Sequence, residues 1–318
     1  MNAPHIAEIA RLASLIGDEM ARVIEGKPQQ IRTAVTVLLA GGHLLIEDVP
    51  GVGKTVLAKS LGRAISGDVK RIQFTPDLLP SDVTGVSVFN QLSREFEFKP
   101  GGIFANVVLG DEINRASPKT QSALLEAMAE GQVSADGKTY RLSRPFMVIA
   151  TQNPIEMEGT YPLPEAQRDR FMARIEMGYP GREAEARMLL ARAGGDQLAK
   201  VNPVTSVEEL NAAMQALADV YVAPIMADYI VRIIDATRSH HDLRLGASPR
   251  ASLHLMQVSR VVAALDGRDY VIPEDVQALA VAVLAHRVMT TVEAQVAGRR
   301  AEEVIAQVVQ SVPAPSRG

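Results

Sequence analysis

The chain has 318 residues, enough for two domains of roughly 150 residues each, and its 47% hydrophobic and 22% charged residues are ordinary for a globular protein. A net charge of −4 and an aromatic share of 4%, without tryptophan, argue against a globally basic nucleic-acid binder or a stacking platform for single strands. The lack of cysteine excludes disulfides, thiolate metal sites and cysteine nucleophiles.

The first part of the chain predicts helices followed by a buried strand. Apolar residues recur at helical spacing over residues 5–25, and a second helix through 31–39 stops at two glycines. The apolar run 43–47 predicts a strand, and a helix-like stretch follows at 56–61. Residues 71–74 predict a further short strand, so the pattern alternates between strands and helices.

Two segments predict β-hairpins. Residues 84–98 alternate between polar and apolar on both sides of a polar turn. Residues 133–142 do the same around Asp136 and Gly137, a pair that suits a two-residue type I′ turn.

Two more apolar runs predict strands of the central sheet. They cover residues 106–110 and 146–150, with a helix predicted between them at 119–128. The run 146–150 is continuously apolar, as expected of a parallel strand that is covered on both faces.

The last third of the chain predicts helices. An apolar stripe at helical spacing covers residues 225–234, and Ser248 followed by Pro249 predicts a helix with serine at the N-cap. Another helix is expected to begin at Pro273, where acidic residues follow in the first turn. The proline-containing tail 312–318 is expected to be disordered.

A phosphate-binding loop is predicted between the strand at 43–47 and the next helix. Residues 48–55 read DVPGVGKT, and the main-chain N–H groups of such a loop and helix start point at phosphates. Lys54 is expected to reach the β- and γ-phosphates, and Thr55 to hold Mg²⁺. Asp48 stands where the usual pattern has glycine, and the alternative is a chance glycine loop before a helix. The predicted nucleotide-binding residues are Pro50, Gly51, Val52, Gly53, Lys54, Thr55 and Val56.

Polar residues end two of the later strands. Asp111 and Glu112 follow an apolar strand, where Asp111 could bind Mg²⁺ and Glu112 could polarise an attacking water. Asn153 ends the strand that begins at 146, and its amide could orient the same water. The alternatives are a solvated acidic turn and, because Pro154 follows Asn153, a simple turn signal.

Five segments together resemble the MoxR family of AAA+ ATPases. They are the phosphate loop, VVLGDEINRASPKTQSALLEAM (107–128), ATQNP (150–154), LPEAQRDRF (163–171) and GASPRAS (246–252). The resemblance implies an α/β AAA+ P-loop core with a parallel sheet and β-hairpin insertions, followed by a small α-helical lid domain. We expect the core in residues 1–200 and the lid in 201–318, with ATP and Mg²⁺ as nucleotide and metal.

The resemblance also implies roles for individual residues. They are Lys54 and Thr55 in Walker A, Asp111 and Glu112 in Walker B, Asn153 as sensor 1, Arg250 as sensor 2, and Arg170 as the arginine finger. Such a finger acts on the nucleotide of a neighbouring subunit, so the resemblance implies a homo-oligomeric ring, usually a hexamer.

Three arginines leave open questions. Arg250 follows a predicted helix start and could touch a γ-phosphate only if the helical domain folds over the site. Arg168 replaces a residue that is more often apolar in the family, and is either a second intersubunit arginine or a surface charge. Arg115 could act between subunits or pair locally with Glu112 or another nearby acid.

The resemblance implies a chaperone-like remodeller of client proteins. Such ATPases are thought to act with a von Willebrand factor A domain protein in metalloenzyme maturation or complex assembly. One alternative is a DNA-dependent motor of the same clade, against which the acidic balance and few aromatics count; the other is a nucleotide-gated scaffold, against which Glu112 counts. With no signal peptide and no apolar stretch of about 18 residues, we expect a cytoplasmic protein without membrane insertion.

Overall fold

The computed structural model describes residues 6–153, 159–192 and 197–315, so Pro154 of the ATQNP segment and the last three tail residues lie outside it. The α-helices within these ranges are α1 (Ile6–Ala21), α2 (Pro28–Leu39), α3 (Lys54–Ala64), α4 (Pro80–Thr84), α5 (Pro118–Glu130), α6 (Glu165–Arg168), α7 (Arg182–Arg192), α8 (Val207–Ala216), α9 (Pro224–Ser239), α10 (Pro249–Leu265), α11 (Pro273–Leu284), α12 (Val292–Val296) and α13 (Ala301–Ser311). The strands are β1 (Leu44–Glu47), β2 (Val69–Gln73), β3 (Gly85–Asn90), β4 (Glu95–Pro100), β5 (Val107–Asp111), β6 (Gln132–Ala135), β7 (Lys138–Arg141), β8 (Met147–Gln152), β9 (Ala173–Ile175), β10 (Leu243–Leu245) and β11 (Met289–Thr290).

Five of the described strands form one parallel sheet in the order β2-β5-β8-β1-β9. Its central strands are apolar up to their carboxyl ends because both faces are covered, and each ends in polar residues. Successive side chains enter opposite cores: Leu44 joins the cluster beneath α1 and α3, whereas Leu45 joins the cluster beneath α5. The predicted parallel α/β core is confirmed, and all five strands end at the same edge of the sheet.

Two antiparallel hairpins interrupt this core. β3 and β4 pair between α4 and β5, and β6 and β7 pair between α5 and β8, which confirms both predicted hairpins. Asp136 and Gly137 both have positive φ, as the predicted type I′ turn requires. Phe98 of the first hairpin stacks on Tyr140 of the second with ring centroids 3.8 Å apart. The two insertions therefore support one another.

Helices α9, α10, α11 and α13 pack together as the lid. The lid contacts the core along α1, α2 and the edge strand β9, and one buried cluster runs from α1 through β1 into α10 and α11. α10 begins at Pro249 with Ser248 at the N-cap position, as predicted, but the Ser248 side chain makes no capping hydrogen bond. The boundary near residue 200 stays a prediction, since α8 beyond it still packs on α2.

None of the helices described here is long and apolar enough to cross a membrane.

Candidate active site

The phosphate loop connects β1 to α3. Gly51 and Gly53 have φ of +86° and +94°, a left-handed backbone that side chains other than glycine adopt only with strain. Gly53 occupies the N-cap position of α3, and Lys54 and Thr55 form its first turn. The main-chain N–H groups at this helix start have no helical acceptor, so they suit the oxygens of a bound anion.

Asp48 holds the base of this loop. One carboxylate oxygen accepts a hydrogen bond from the Val49 N–H at 2.7 Å, and the other accepts one from the Gly178 N–H at 2.5 Å. Lys54 Nζ donates to the main-chain oxygen of Asp48 at 2.8 Å. The residue that departs from the glycine pattern therefore ties the phosphate loop to the segment that follows β9.

A cavity of about 310 Å³ lies at the carboxyl edge of the sheet, beside the phosphate loop. Its lining residues are Pro50, Gly51, Gly53, Lys54, Thr55, Arg71, Asp111, Glu112 and Asn153. The strand order explains this meeting, because β8 lies between β5 and β1 and brings their carboxyl ends together. The structure thus brings five of the seven predicted nucleotide-binding residues to one cavity with Asp111, Glu112 and Asn153. The side chains of the other two, Val52 and Val56, pack against the hydrophobic core.

Asp111 is held by two neighbours. Its carboxylate accepts hydrogen bonds from Thr151 Oγ1 at 2.6 Å and from Arg71 Nη2 at 2.7 Å. The Thr55 hydroxyl and the Asp111 carboxylate line the same cavity, and hard oxygen ligands of this kind fit Mg²⁺. Arg71 therefore pairs with the carboxylate that the sequence assigned to the metal.

Glu112 has a left-handed backbone, with φ of +58°, and its amide N–H donates to Thr151 Oγ1 at 2.9 Å. Its carboxylate accepts from Gln73 Nε2 at 3.0 Å and from Arg115 Nη1 at 3.2 Å. Arg115 makes the local pair with Glu112, and its role between subunits stays a prediction. Gln73 and Arg115 hold the candidate general base by its side chain.

Sequence reasoning missed Arg71, Gln73 and Thr151. Arg71 and Gln73 point from β2, which pairs with β5 in a register that sets Gln73 against Asp111. Polar side chains at alternate positions of a short strand were visible in the sequence. Their proximity to the acids depends on strand order, which no local pattern reveals.

Asn153 is buried at the end of β8, and β8 pairs with β1 as its proposed role requires. Arg170 and Arg250, by contrast, do not reach this cavity. They line a second cavity of about 230 Å³ together with His43 and Met172. His43 precedes β1 and Asp48 follows it, so these two residues are about 16 Å apart at about 3.3 Å per residue.

The second cavity lies at the amino edge of the sheet. The Arg170 guanidinium donates to the main-chain oxygen of Leu125, and Arg250 Nη1 lies 3.5 Å from a carboxylate oxygen of Asp169. Among the described residues, none from the lid lines the nucleotide cavity. Arg250 therefore lies away from the phosphate loop of its own chain, because the lid packs along α2 and β9 instead of over that loop.

Buried histidines surround this second cavity. Burial lowers the pKa of His43 to about 4, and its ring accepts from the Val148 N–H and contacts the Met128 main-chain oxygen. Burial, and then the charges of Arg287 and Arg250, lower the pKa of His254 to about 3. Both rings are neutral at pH 7, so the positive charge at this edge belongs to the arginines.

Comparisons with known proteins agree with this architecture. A model of the ATPase family associated with various cellular activities (AAA) matches residues 43–173, and an AAA lid domain model matches residues 235–308. The chain is similar to the uncharacterized protein YeaC of Bacillus subtilis, with 48% identity over 94% of this chain and 93% of the relative. It is 43% identical to Chaperone MoxR1 of Mycobacterium tuberculosis, over 93% of this chain and 81% of that one.

A solved structure extends the likeness to three dimensions. The crystal structure of a candidate ATPase from Cytophaga hutchinsonii superposes with a TM-score of 0.91 at 36% identity, covering 98% of this chain and 97% of its own. The likeness therefore spans both the ATPase core and the helical lid. The chain belongs to the MoxR family of AAA+ ATPases.

Proposed function

We propose that the protein is a Mg²⁺-dependent, ring-forming ATPase that remodels client proteins. The observation that carries this proposal is that the nucleotide-site residues and the two arginines lie at opposite edges of the sheet. Lys54, Asp111 and Glu112 meet at the carboxyl edge of the sheet, whereas Arg170 and Arg250 lie at the amino edge. A single chain therefore holds the nucleotide at one edge and offers arginines at the other.

Hydrolysis follows from the groups at the first cavity. The N–H groups of the loop and Lys54 bind the phosphates, while Thr55 and Asp111 supply oxygen ligands for Mg²⁺, which when bound neutralises phosphate charge. Asn153 orients the attacking water and Glu112 accepts its proton. Gln73 and Arg115 both donate to Oε2 of Glu112, which holds the carboxylate in place, so Oε1 is the oxygen that accepts the proton of the water.

A second copy completes the site. Subunits that meet head to tail bring the arginine edge of one against the nucleotide edge of the next, and such a contact closes into a ring when its rotation divides a full turn. Arg170, and Arg250 beside it, then stabilise negative charge on the neighbour's γ-phosphate. We propose six subunits, as the family resemblance implies.

Mixed rings test this assignment. Lys54→Ala removes the nucleotide site but leaves the finger, whereas Arg170→Ala removes the finger but leaves the site. Each variant alone should be nearly silent, since loss of such a finger costs about 10³–10⁵ in rate. Rings that contain both should recover turnover at junctions where an intact finger meets an intact site. Silence of all mixtures that form rings by native mass spectrometry would contradict the assignment of Arg170 and make Arg168 the next residue to test.

We propose that the client is a protein. A partner with a von Willebrand factor A domain recruits it for metalloenzyme maturation or complex assembly. The relative named Chaperone MoxR1 supports this class. The tip of the β3–β4 hairpin supports it too, because the apolar Leu92 is 97% exposed there. Turnover should rise with such a partner and not with DNA, whereas stimulation by DNA alone would favour the motor.

A further inference from the structure

The segment that carries Arg170 is gripped by the lid. Asp169, directly before Arg170, receives Ser248 Oγ at 2.8 Å and Arg287 Nη1 at 2.8 Å on one carboxylate oxygen, and Arg250 Nη1 lies 3.5 Å from the other. All three donors belong to the lid, and Ser248 uses its hydroxyl here instead of capping α10. One carboxylate of the core therefore collects three lid contacts.

Arg287 extends this grip to the main chain beyond Arg170. Its side chain is 1% exposed, and it also donates to the main-chain oxygen of Phe171 at 2.6 Å and to His254 Nδ1 at 2.5 Å. His254 can accept because its lowered pKa keeps it neutral. His286 Nε2 lies 3.0 Å from the same Phe171 oxygen. The lid thus holds residues on both sides of Arg170.

The core holds the same segment from the other side. The Met172 N–H donates to the His43 main-chain oxygen at 2.8 Å, and the Arg170 guanidinium donates to the Leu125 oxygen. Residues 169–172 are therefore clamped between core and lid. A shift of the lid that changes the Asp169 contacts must move the backbone from which Arg170 projects.

A purely structural junction is the alternative explanation for this cluster. Buried ion pairs are a poor means of stabilising a fold, since well-packed apolar residues are often as good or better. Directional contacts to one carboxylate and one main-chain oxygen instead restrict where a short segment lies. Restricting a segment matters most when a neighbouring group must be placed to within about 1 Å for catalysis.

We propose that Asp169 is a positioning residue: through Arg287 and Ser248 it lets the lid of one subunit set the place of Arg170 and so the turnover of the next subunit. This inference rests on the proposed intersubunit role of Arg170. In this arrangement the lid of one subunit controls hydrolysis of the nucleotide bound to the next subunit, not of the nucleotide bound to its own subunit. A subunit with a broken junction should thus fail as a finger donor while its own site stays competent.

The test variants are Asp169→Asn and the double change Asp169→Asn with Arg287→Met. The double change removes both charges, so it avoids leaving Arg287 buried without a partner if the single variant does not fold. We expect unchanged ATP affinity in each subunit and a fall in turnover of about 10²-fold, the loss expected from misplacement of a catalytic group. Arg268→Met with Asp275→Asn is the matched control, because that ion pair lies in the lid without touching residues 169–172.

Rings that mix variant subunits distinguish a misplaced Arg170 from a general loss of folding or activity. Rings of the double variant with Lys54→Ala should recover turnover, since Lys54→Ala lends its finger to the variant's intact site. Rings of the double variant with Arg170→Ala should stay silent, since neither member offers a placed finger. The control pair should donate its finger normally.

Two results would contradict the positioning role of Asp169, and a third would contradict the proposed role of Arg170 itself. If the double variant activates Arg170→Ala subunits as well as wild type does, Asp169 does not position the finger, although the finger itself stands. If it fails with Lys54→Ala subunits in rings that demonstrably form, the junction only supports the fold. If Arg170→Ala alone keeps wild-type turnover, Arg170 is not the arginine finger, and the positioning role of Asp169 has no basis.

Discussion

Thr151 aligns the acidic pair with one hydroxyl. Its Oγ1 donates to the Asp111 carboxylate at 2.6 Å and accepts from the Glu112 N–H at 2.9 Å, while the side chain is fully buried in β8. The contact joins the proposed metal ligand Asp111, the proposed general base Glu112 and the strand that precedes Asn153. Glu112 has a left-handed backbone, a conformation that costs about 1–3 kcal/mol and persists only where surrounding contacts hold it. The hydrogen bond from its N–H to Thr151 is one such contact.

Glu112→Gln should separate ATP binding from hydrolysis. The amide is isosteric and leaves Lys54, Thr55 and Asp111 in place, so the ATP dissociation constant should stay near that of wild type. Loss of the general base should lower single-turnover hydrolysis by about 10²–10⁴-fold. The exposed Glu126→Gln on α5 is the control. Turnover near that of wild type would mean that another group polarises the water.

Asp48→Asn should weaken the base of the phosphate loop. Both carboxylate oxygens accept from N–H groups, of Val49 and Gly178, and an amide can accept only one of these while turning its NH₂ against the other donor. We expect a loss of about 1–3 kcal/mol in the free energy of unfolding, measured in denaturant without nucleotide. The exposed Asp228→Asn should have little effect. Equal stability of Asp48→Asn and wild type would show that the link to Gly178 is dispensable.

The two hairpins contact each other through aromatic rings. Phe98 stacks on Tyr140 and meets Phe104 edge to face at 5.6 Å, whereas Leu92 at the tip of the β3–β4 hairpin is 97% exposed. A two-stranded hairpin is marginally stable alone, so the contact between hairpins orders both insertions. The apolar tip is thereby held out from the core.

Tyr140→Ala should loosen the insertions without affecting the nucleotide site. The aromatic pair contributes about 0.5–1.5 kcal/mol beyond its buried area. We therefore expect faster hydrogen exchange in β3, β4, β6 and β7, with unchanged exchange in β1, β5 and β8 and unchanged ATP affinity. Leu92→Ala, at the exposed tip of the β3–β4 hairpin, is the control. Unchanged protection of the β3–β4 hairpin in Tyr140→Ala would contradict the coupling.

The whole molecule is built as one body with two opposed edges. The lid packs on α1, α2 and β9 and grips the segment before β9, while the phosphate loop faces away at the other end of β1. Neutral histidines fill the junction at the amino edge. Burial lowers the pKa of His286 as it does those of His43 and His254, with the Arg287 charge as a further cause for His286.

Stability should fall as the pH drops below about 6.5. The folded pKa of His43 is about 4 against 6.5 for the free side chain, so below 6.5 the unfolded chain binds a proton that the folded chain refuses. The contribution is complete above pH 6.5 and is lost progressively toward pH 4, by up to about 1.4 kcal/mol per pH unit. His43→Gln should reduce this slope in denaturant unfolding between pH 7 and 5, and the exposed His241→Gln should not. Identical slopes for His43→Gln and wild type would contradict the assignment.

The sequence by itself determined the features that short segments encode. The phosphate loop, the apolar strands, the Asp136-Gly137 turn and the helix start at Pro249 depend on neighbours within a few residues, and the structure contains each of them. Asp111 and Glu112 at the end of β5 and Asn153 after β8 could also be expected at one edge, because parallel strands that alternate with helices end on the same side.

Only the tertiary structure decided which distant residues meet these features. Strand order sets Arg71 and Gln73 beside Asp111 and Glu112, and lid packing carries Arg250 to the amino edge beside Asp169. The helix start that precedes Arg250 was predictable, but its direction was not, since a helix with the same apolar stripe could pack over the loop or along β9. Long-range packing, which local patterns leave open, made that choice.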